Sequence, residues 1–177
     1  MAEPSSDADL IARLQAGETA AFDQAYETWR PRVYGFLVRL TGRRDLAEDL
    51  LQETWLRLAR HSHRLREDTR LGPWLFTVAR NLHTSHRRWS LADLVRRERV
   101  DPPAEPASPF EQTAAAQTRR RLEEALAALP LPYREVLLLI AVERLEHDDA
   151  AAVLGLSAVA LRKRLSRARG LLQAELD

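Results

Sequence analysis

The segment at residues 145–172 constrains this chain more than any other part of its sequence. Its letters, LEHDDAAAVLGLSAVALRKRLSRARGLL, predict a short helix, a turn at Gly155 and a second helix that Ser157 can cap. On a helical period, the second helix has one apolar stripe and an opposite face that is cationic. The stripe consists of Leu161, Leu165, Ala168 and Leu172. This pattern is typical of a helix-turn-helix unit that contacts DNA.

The second helix carries five basic residues and no acidic one. Lys163 and Arg167 lie opposite the apolar stripe on the helical projection. The flanking cations are Arg162, Arg164 and Arg169. Such a face can lie against phosphates. Arginine-rich solvent faces are also common on amphipathic helices, so an ordinary solvated surface stays open as the alternative.

The composition bounds the class of protein. The formal net charge is only +1 over 177 residues, so a nucleic-acid site must come from local segregation of charge. The absence of cysteine excludes disulfides and thiolate metal sites and fits a reducing compartment. The N-terminal letters MAEPSSDADL lack the apolar core of a signal peptide, and no apolar run approaches membrane-spanning length. We therefore expect a cytoplasmic protein with no direct membrane insertion.

A proline-rich stretch divides the chain. Residues 101–109, DPPAEPASP, hold four of the nine prolines and predict a semi-stiff linker. We expect one domain at residues 1–90, a linker at 91–112 and a second domain at 113–177. Glycine is scarce and strand-period runs are few, so both domains are predicted to be helical. The predicted fold class is all-α, with two small helical domains joined by a Pro-rich linker.

Helical periodicity and end signals place eight helices. The predicted ranges are 7–16, 18–40, 46–60, 73–88, 111–129, 132–144, 147–154 and 158–174. Gly17 and Gly42 are expected to end the first two helices, Asp45 to cap the third and Pro73 to open the fourth. In the second helix the residues expected to face inward are Phe22, Tyr26, Val33, Phe36 and Leu40.

The helix at 46–60, LAEDLLQETWLRLAR, has an unusual outer face. The residues that turn outward are Glu48, Asp49, Gln52, Glu53 and Leu56, and those that turn inward are Ala47, Leu50, Leu51, Thr54 and Leu58. An apolar side chain among carboxylates and an amide is the mixture found where a partner protein docks. Taken alone, the residues favour the alternative of an ordinary solvated acidic face.

The third feature is the segment RLGPWLFTVARNLHTSHRRW at 70–89, together with the basic loop at His63–Arg70. Trp74, Val78 and Leu82 lie near one stripe and are expected to be core residues, with Trp74 mainly a buried aromatic. The candidate contacts to a separated nucleic-acid strand are Arg64, Arg66, Arg70, Thr77, Arg80, Asn81, Thr84, Arg87 and Arg88. In such a site, cations bind phosphates and polar groups bind bases.

Catalytic and metal-binding patterns are weak. His61 and His63 lie in an expected loop, and His83 and His86 are one helical turn apart, with no pattern for a third ligand. Asp148 and its neighbour Asp149 have no partner base or nucleophile, and no glycine-rich phosphate loop exists. We expect no enzymatic activity, no cofactor, no metal and no small-molecule substrate.

Taken in order, these segments resemble the extracytoplasmic-function (ECF, group IV) sigma factors of bacterial RNA polymerase. Residues 9–88 are similar to the second sigma region, in which DLAEDLLQETWLRL resembles the core-binding helix and GPWLFTVARNL the promoter-melting helix. Residues 122–172 are similar to the fourth region, through LEEALAALPLPYREVLLL and RLSRAR. Two motif sets in the right order, on either side of a variable linker, are far more specific than a helix-turn-helix alone.

The resemblance implies a DNA-binding subunit that directs promoter-specific transcription initiation. The first domain would bind a coiled coil of the largest polymerase subunit through Asp49, Gln52 and their neighbours. It would also capture flipped bases at the minus-ten element, with Asn81 as the best single candidate. The residues implied at the minus-thirty-five element are Ser157, Ala160, Arg162, Lys163, Arg164 and Arg167. The second domain would also touch the flap of the second-largest subunit, and an anti-sigma protein would regulate transcription by holding the factor in check.

The sequence departs from the family pattern at several positions. Ser85 stands where an Asp is common, and His86 follows in place of an aromatic or aliphatic residue. Val159 and Ala160 replace the usual Gly-Thr and delete a hydroxyl that could bind phosphate. Glu146 replaces the customary Ser cap. These changes bear on DNA affinity and sequence preference more than on the fold.

Two other functions remain open at this point. A stand-alone helix-turn-helix transcriptional regulator would act at promoters without joining polymerase, and it would not need the face at residues 48–56. A degenerate sigma-like protein would act mainly as a binding target and would give no promoter-specific transcript with core polymerase.

Overall fold

Helices supply the regular structure of the described residues, as predicted. The computed structural model describes residues 7–94 and 114–177, so most of the predicted linker lies outside the described residues. The helices before it are α1 Asp7–Gln15, α2 Thr19–Thr41, α3 Arg44–His61 and α4 Leu71–Leu94, with a 3-10 turn at Ser62–Arg64. The helices after it are α5 Ala114–Ala128, α6 Leu131–Leu137, α7 His147–Leu154 and α8 Ala158–Leu176, with a π-helical turn at Leu138–Val142.

In the first domain, α2 packs against both α3 and α4. The Phe76 ring of α4 lies 5.2 Å from the Phe36 ring and 6.2 Å from the Trp29 ring, both edge to face. This geometry adds to the stabilisation from apolar burial. Helix α1 is tied to the basic loop because Gln15 Nε2 donates a hydrogen bond to the Leu65 carbonyl at 2.6 Å.

The ends of the helices follow the sequence signals in most places. Gly17 and Gly42 have positive φ angles and follow α1 and α2, as predicted. Pro73 lies in the first turn of α4, also as predicted, although that helix begins at Leu71 and runs on to Leu94. The prediction that Asp45 caps α3 is wrong, because the N-cap is Arg43. The Arg43 guanidinium instead bonds to the Asp45 carboxylate and lowers its pKa.

Four residues predicted to face inward or lie in the core are less buried than expected. Tyr26 is 37% exposed, and Phe22, Trp74 and Val78 are half-buried against the core rather than within it. The residues of α4 that form the core are Leu71, Leu75, Phe76, Ala79 and Leu82. The predicted apolar stripe of α4 is centred about one position away from the observed one. Trp74 and Val78 therefore lie at the margin of the buried face and not at its centre.

In the second domain, α8 packs against α5, α6 and α7. Leu138, Leu139 and Leu161 are buried at the centre of this unit. The π-helical turn widens the end of α6, and its Glu143 backbone N–H donates to the Leu138 carbonyl at 2.8 Å. The two domains also contact each other, since α4 packs against α7 and α2 touches α5 and α6. Among the described helices, none combines the length and apolar character that crossing a membrane requires.

Candidate DNA and polymerase interfaces

Helix α8 presents the cationic face that its sequence predicts. Leu161, Leu165 and Ala168 are buried, and Leu172 packs against the same core. Of the five cations, Arg162, Lys163, Arg167 and Arg169 are exposed and Arg164 is half-buried. Because no carboxylate lies in α8 before Glu175, this face is suited to bind phosphates.

The turn before α8 also has the predicted form. Gly155 ends α7 with a left-handed φ of 64°, which glycine adopts without strain. The Ser157 hydroxyl caps α8 by accepting a hydrogen bond from the Ala160 backbone N–H at 3.2 Å. That N–H is therefore already used within the protein. The neighbouring Val159, in the first turn of α8, is 53% exposed.

The outer face of α3 has the predicted orientation. Glu48, Asp49, Gln52 and Leu56 are exposed, whereas Glu53 is half-buried and pairs with Arg57 at 3.2 Å. The predicted inward residues Ala47, Leu50, Leu51, Thr54 and Leu58 are all buried.

A groove of about 400 Å³ between α2 and α3 opens beside this face. Its lining residues are Phe22, Tyr26, Arg30, Glu48, Leu51, Gln52, Trp55, Leu56 and Ala59. The Tyr26 and Trp55 rings lie 4.9 Å apart, and the Arg30 guanidinium lies over the Tyr26 ring. Neither aromatic residue was predicted to form a surface site. The i, i+4 spacing of Phe22, Tyr26 and Arg30 on one face of α2 is the signal that could have found it.

The basic loop does not present its three predicted arginines in the same way. Arg64 donates a hydrogen bond to the neighbouring His63, and Arg66 forms a bidentate ion pair with Asp68. Both arginines are exposed. Arg70, by contrast, forms an ion pair with Asp149 of the second domain.

The predicted strand-binding face of α4 is only partly open. Asn81, Arg87 and Arg88 are exposed, and Thr84 is half-buried. Thr77 is also half-buried, and its hydroxyl donates to the Pro73 carbonyl at 2.8 Å. The expectation that Arg80 points outward into solvent is wrong, because its guanidinium pairs with Glu135 of the second domain at 2.9 Å.

Four ion pairs connect the two domains, and their charges are arranged in the same sense. Arg80 pairs with Glu135 at 2.9 Å, Arg32 with Glu143 at 3.0 Å, Arg39 with Glu123 at 2.8 Å, and Arg70 with Asp149. In all four pairs the arginine belongs to the first domain and the carboxylate to the second. The Glu135 and Glu143 side chains are only 3% and 5% exposed, so these charges depend on their partners.

Arg134 of α6 also joins the domains. Its guanidinium donates to the Ala127 and Leu129 carbonyls at the end of α5, and it approaches the Arg39 and Leu40 carbonyls at the end of α2. A cation in this position satisfies carbonyls that each helix leaves unpaired at its C-terminus. Burial lowers the pKa of Arg134, but an arginine stays charged in proteins.

Two buried titratable groups have shifted pKa values. Burial, followed by the nearby charges of Arg87, His86 and Arg134, lowers the pKa of His83 to about 4, so this imidazole is neutral at pH 7. Burial raises the pKa of Glu143 and outweighs the opposing effect of Arg32. Among the described residues, no cluster of three or more His, Cys, Asp and Glu side chains could hold a metal ion.

Comparison with known proteins agrees with this organisation. The family model for Sigma-70 region 2 matches residues 25–89, and the model for Sigma-70, region 4 matches residues 119–172. RNA polymerase sigma factor CarQ of Myxococcus xanthus is 36% identical over 157 residues, which cover 89% of this chain and 90% of CarQ. The ECF sigma factor EcfG of Rhodopseudomonas palustris is 34% identical over 82% of this chain and 80% of its own length.

A solved structure is also similar in fold. The sigma factor RpoE from Bartonella quintana, determined in complex with the anti-sigma factor NepR, superposes with a TM-score of 0.76 at 27% identity. The match covers 88% of this chain and 96% of that one. The fold class, the order of the two regions and the sequence similarity all agree with the predicted resemblance. The chain belongs to the ECF family of RNA polymerase sigma factors.

Proposed function

We propose that this chain is a dissociable specificity subunit that binds core RNA polymerase in the cytoplasm and directs it to promoters. It performs no covalent chemistry of its own. The observation that carries the proposal is the presence, in one chain, of an exposed face of carboxylates, an amide and Leu56 on α3 and of two separate cationic faces on α4 and α8. A stand-alone helix-turn-helix regulator has no use for the docking face.

The polymerase-binding surface is the outer face of α3 together with the adjoining groove. Its residues are Glu48, Asp49, Gln52, Glu53 and Leu56. Exposed carboxylates beside an apolar groove suit a helix that carries both basic and apolar side chains. The partner is the coiled coil of the largest polymerase subunit, and the second domain contacts the flap of the second-largest subunit.

The minus-ten element of the promoter binds along the basic loop and α4. The exposed Asn81 amide can both donate to and accept from a base edge, while the cations beside it bind the strand's phosphates. The residues of this site are Arg64, Arg66, Arg70, Thr77, Arg80, Asn81, Thr84, Arg87 and Arg88. A flipped base offsets its lost stacking through such contacts.

The minus-thirty-five element binds α8 in the major groove. Arg162, Lys163 and Arg167 are the exposed readers or phosphate clamps, and Arg164 lies at the edge of the face. Ser157 and Ala160 hold the first turn of the helix in place through their hydrogen bond. An anti-sigma protein holds the factor in check, a proposal that the anti-sigma complex of the similar Bartonella quintana protein supports.

Binding to core polymerase tests the docking surface. Leu56→Asp should weaken binding of the full chain to core polymerase by at least about tenfold, because it places a charge at the centre of an apolar contact. Leu171→Asp is the matched control, since both leucines are 40% exposed. Equal affinity of the two variants would contradict the assignment of α3.

Promoter-specific transcription tests the function as a whole. Wild-type chain added to core polymerase should give discrete transcripts from genomic DNA, mapped by their start sites. Failure of the wild-type chain to bind core would favour the stand-alone regulator. Binding without specific transcripts would favour a degenerate protein that acts as a binding target.

A further inference from the structure

We propose that Trp89 is a further DNA contact of α4, at which the indole ring stacks on the face of an unpaired base. This inference rests on the proposed role of α4 in binding a separated strand, and it adds a residue outside the set assigned to that site. The assigned residues supply cations and hydrogen-bonding groups, whereas Trp89 supplies a flat apolar ring. The ligand is therefore an exposed nucleobase of any identity, because every base has a face that an aromatic ring can cover.

Trp89 is exposed to an unusual degree. It is 77% exposed, more than any other large apolar residue of the part of the chain that the structure describes. The other tryptophans, Trp29, Trp55 and Trp74, all pack in or against the core. Covering the apolar surface of a ring this large is favourable. Trp89 is thus available to a partner and is not needed to fill the core of the first domain.

Trp89 lies on the same side of α4 as Asn81, the proposed base contact. With 3.6 residues per turn, Asn81, Ser85, Arg88 and Trp89 fall within about 100° of one another around the helix axis. All four are exposed. The rise of 1.5 Å per residue places Trp89 about 12 Å from Asn81 along that axis. A strand with one base at Asn81 would reach Trp89 within about four nucleotides, since stacked bases are about 3.4 Å apart.

The surroundings of Trp89 favour nucleic acid over a protein partner. The four residues before it, Ser85, His86, Arg87 and Arg88, are all exposed, and none of them is apolar. A protein-docking patch is a contiguous apolar area with few charges at its centre. A single aromatic ring beside cations instead matches single-strand binding sites, in which rings stack on bases while cations bind the phosphates.

The ring suits an unpaired base better than a paired one. Within a duplex each base face is covered by the next base pair, and only the base edges are open in the grooves. A base that has left the stack offers its whole face. Stacking on Trp89 therefore favours the separated strand over the duplex and offsets part of the cost of unpairing. Because any base can stack, Trp89 contributes to strand separation more than to sequence reading.

Binding of the full chain to short oligonucleotides tests the stacking without polymerase. The probes are a mixed-sequence single strand, an abasic sugar–phosphate strand of the same length, and the corresponding duplex. Trp89→Ala should weaken binding of the single strand about tenfold and change binding of the other two probes by less than about twofold. Trp89→Phe keeps an aromatic ring and should weaken binding of the single strand by less than about threefold.

Two further variants separate stacking from charge. Leu122→Ala is the matched control, because Leu122 is an exposed apolar residue of the second domain, and it should bind all the probes as the wild type does. Arg88→Ala removes a cation beside the ring and should reduce the salt slope of log affinity for the single strand by about 0.7. Trp89→Ala should leave that slope unchanged, since stacking releases no counterions.

Fluorescence gives a second readout of the same contact. A base stacked on an indole quenches its emission, so the single strand should quench the wild type more than Trp89→Phe, which keeps the other three tryptophans. Urea denaturation checks the fold, and Trp89→Ala should unfold at the same urea concentration as Leu122→Ala. A much lower midpoint for Trp89→Ala would mean that the chain itself covers the ring, which would overturn the proposal.

The proposal is also overturned if the wild type does not bind the single strand, or if Trp89→Ala binds it as tightly as Leu122→Ala. An equal loss on the single strand and the duplex, or an equal loss for Trp89→Ala and Trp89→Phe, would likewise exclude stacking on an unpaired base. A failure of stacking is distinct from a failure of the proposed sigma activity, because promoter-specific transcription by the wild type reports that activity separately.

Discussion

At the scale of single residues, Gly72 shows how closely the first domain is packed. It lies in the first turn of α4, and a Cβ atom at this position would overlap the indole ring of Trp29. The φ angle of Gly72 is not positive, so its backbone conformation does not require glycine. Glycine is needed here because the neighbouring helix that carries Trp29 approaches so closely. The sequence places Gly72 at the end of a basic loop and gives no sign of Trp29, which is far away along the chain.

Gly72→Ala should lower the free energy of unfolding by about 1–3 kcal/mol, because the indole or the helix must move to make room. Gly170→Ala is the control within α8, where a Cβ meets nothing within 4 Å. That change should raise stability by up to about 1 kcal/mol through helix propensity. Urea denaturation of both variants measures the difference, and an equal effect of the two would refute the packing argument.

At the scale of single elements, the helical period predicts more than any other signal. The inner and outer faces of α3 and α8 follow directly from 3.6 residues per turn, and the structure has both as predicted. The groove beside α3 was not predictable in this way, because it needs Tyr26 from α2 and Trp55 from α3 to meet. Residues that lie at the margin of a stripe, such as Trp74, are assigned least accurately by periodicity.

The cap of α8 gives a testable prediction at this scale. Ser157→Ala should cost about 1 kcal/mol of stability, because the Ala160 N–H loses its acceptor at the start of the helix. Ser166→Ala, at an exposed position inside the same helix, should change stability by less than about 0.5 kcal/mol. Thermal unfolding followed by circular dichroism distinguishes the two, and a Ser157 variant as stable as the Ser166 variant would contradict the cap.

At the scale of the whole molecule, the sequence predicts the two domains but not how they meet. Arg32 and Glu143 are 111 residues apart, and Arg80 and Glu135 are 55 apart. Each residue by itself looks like an ordinary surface charge, since no local pattern shows which arginine will find which carboxylate. For this reason Arg70 and Arg80 are predicted as free DNA contacts, whereas in the structure both are ion-paired.

Acidification should destabilise the folded chain. His83 has a pKa of about 4 when folded and about 6.5 when unfolded, so between these values the unfolded state binds the extra proton. The free energy of unfolding should therefore fall as pH falls, by up to about 1.4 kcal/mol per pH unit. Glu143 acts in the opposite sense: its raised pKa gives stability that is full below about 4.5 and is lost as pH rises.

Urea denaturation between about pH 7 and about pH 5 measures this dependence. His83→Gln should flatten the profile relative to the wild type, whereas His61→Gln, at an exposed position, should leave it unchanged. A His83 variant that keeps the full wild-type slope would rule out this histidine as the cause.

The one-sided charge of the domain contact limits how freely the halves of this protein can be exchanged with those of its relatives. Arginines on one half and carboxylates on the other form a matched set, so a charge change in one half disturbs its contact with the other. A chimera that joins the first half to a foreign second half without these carboxylates would lose the four ion pairs between the halves. For those who build orthogonal transcription circuits from such parts, the stability of a hybrid factor would then depend on which halves are paired.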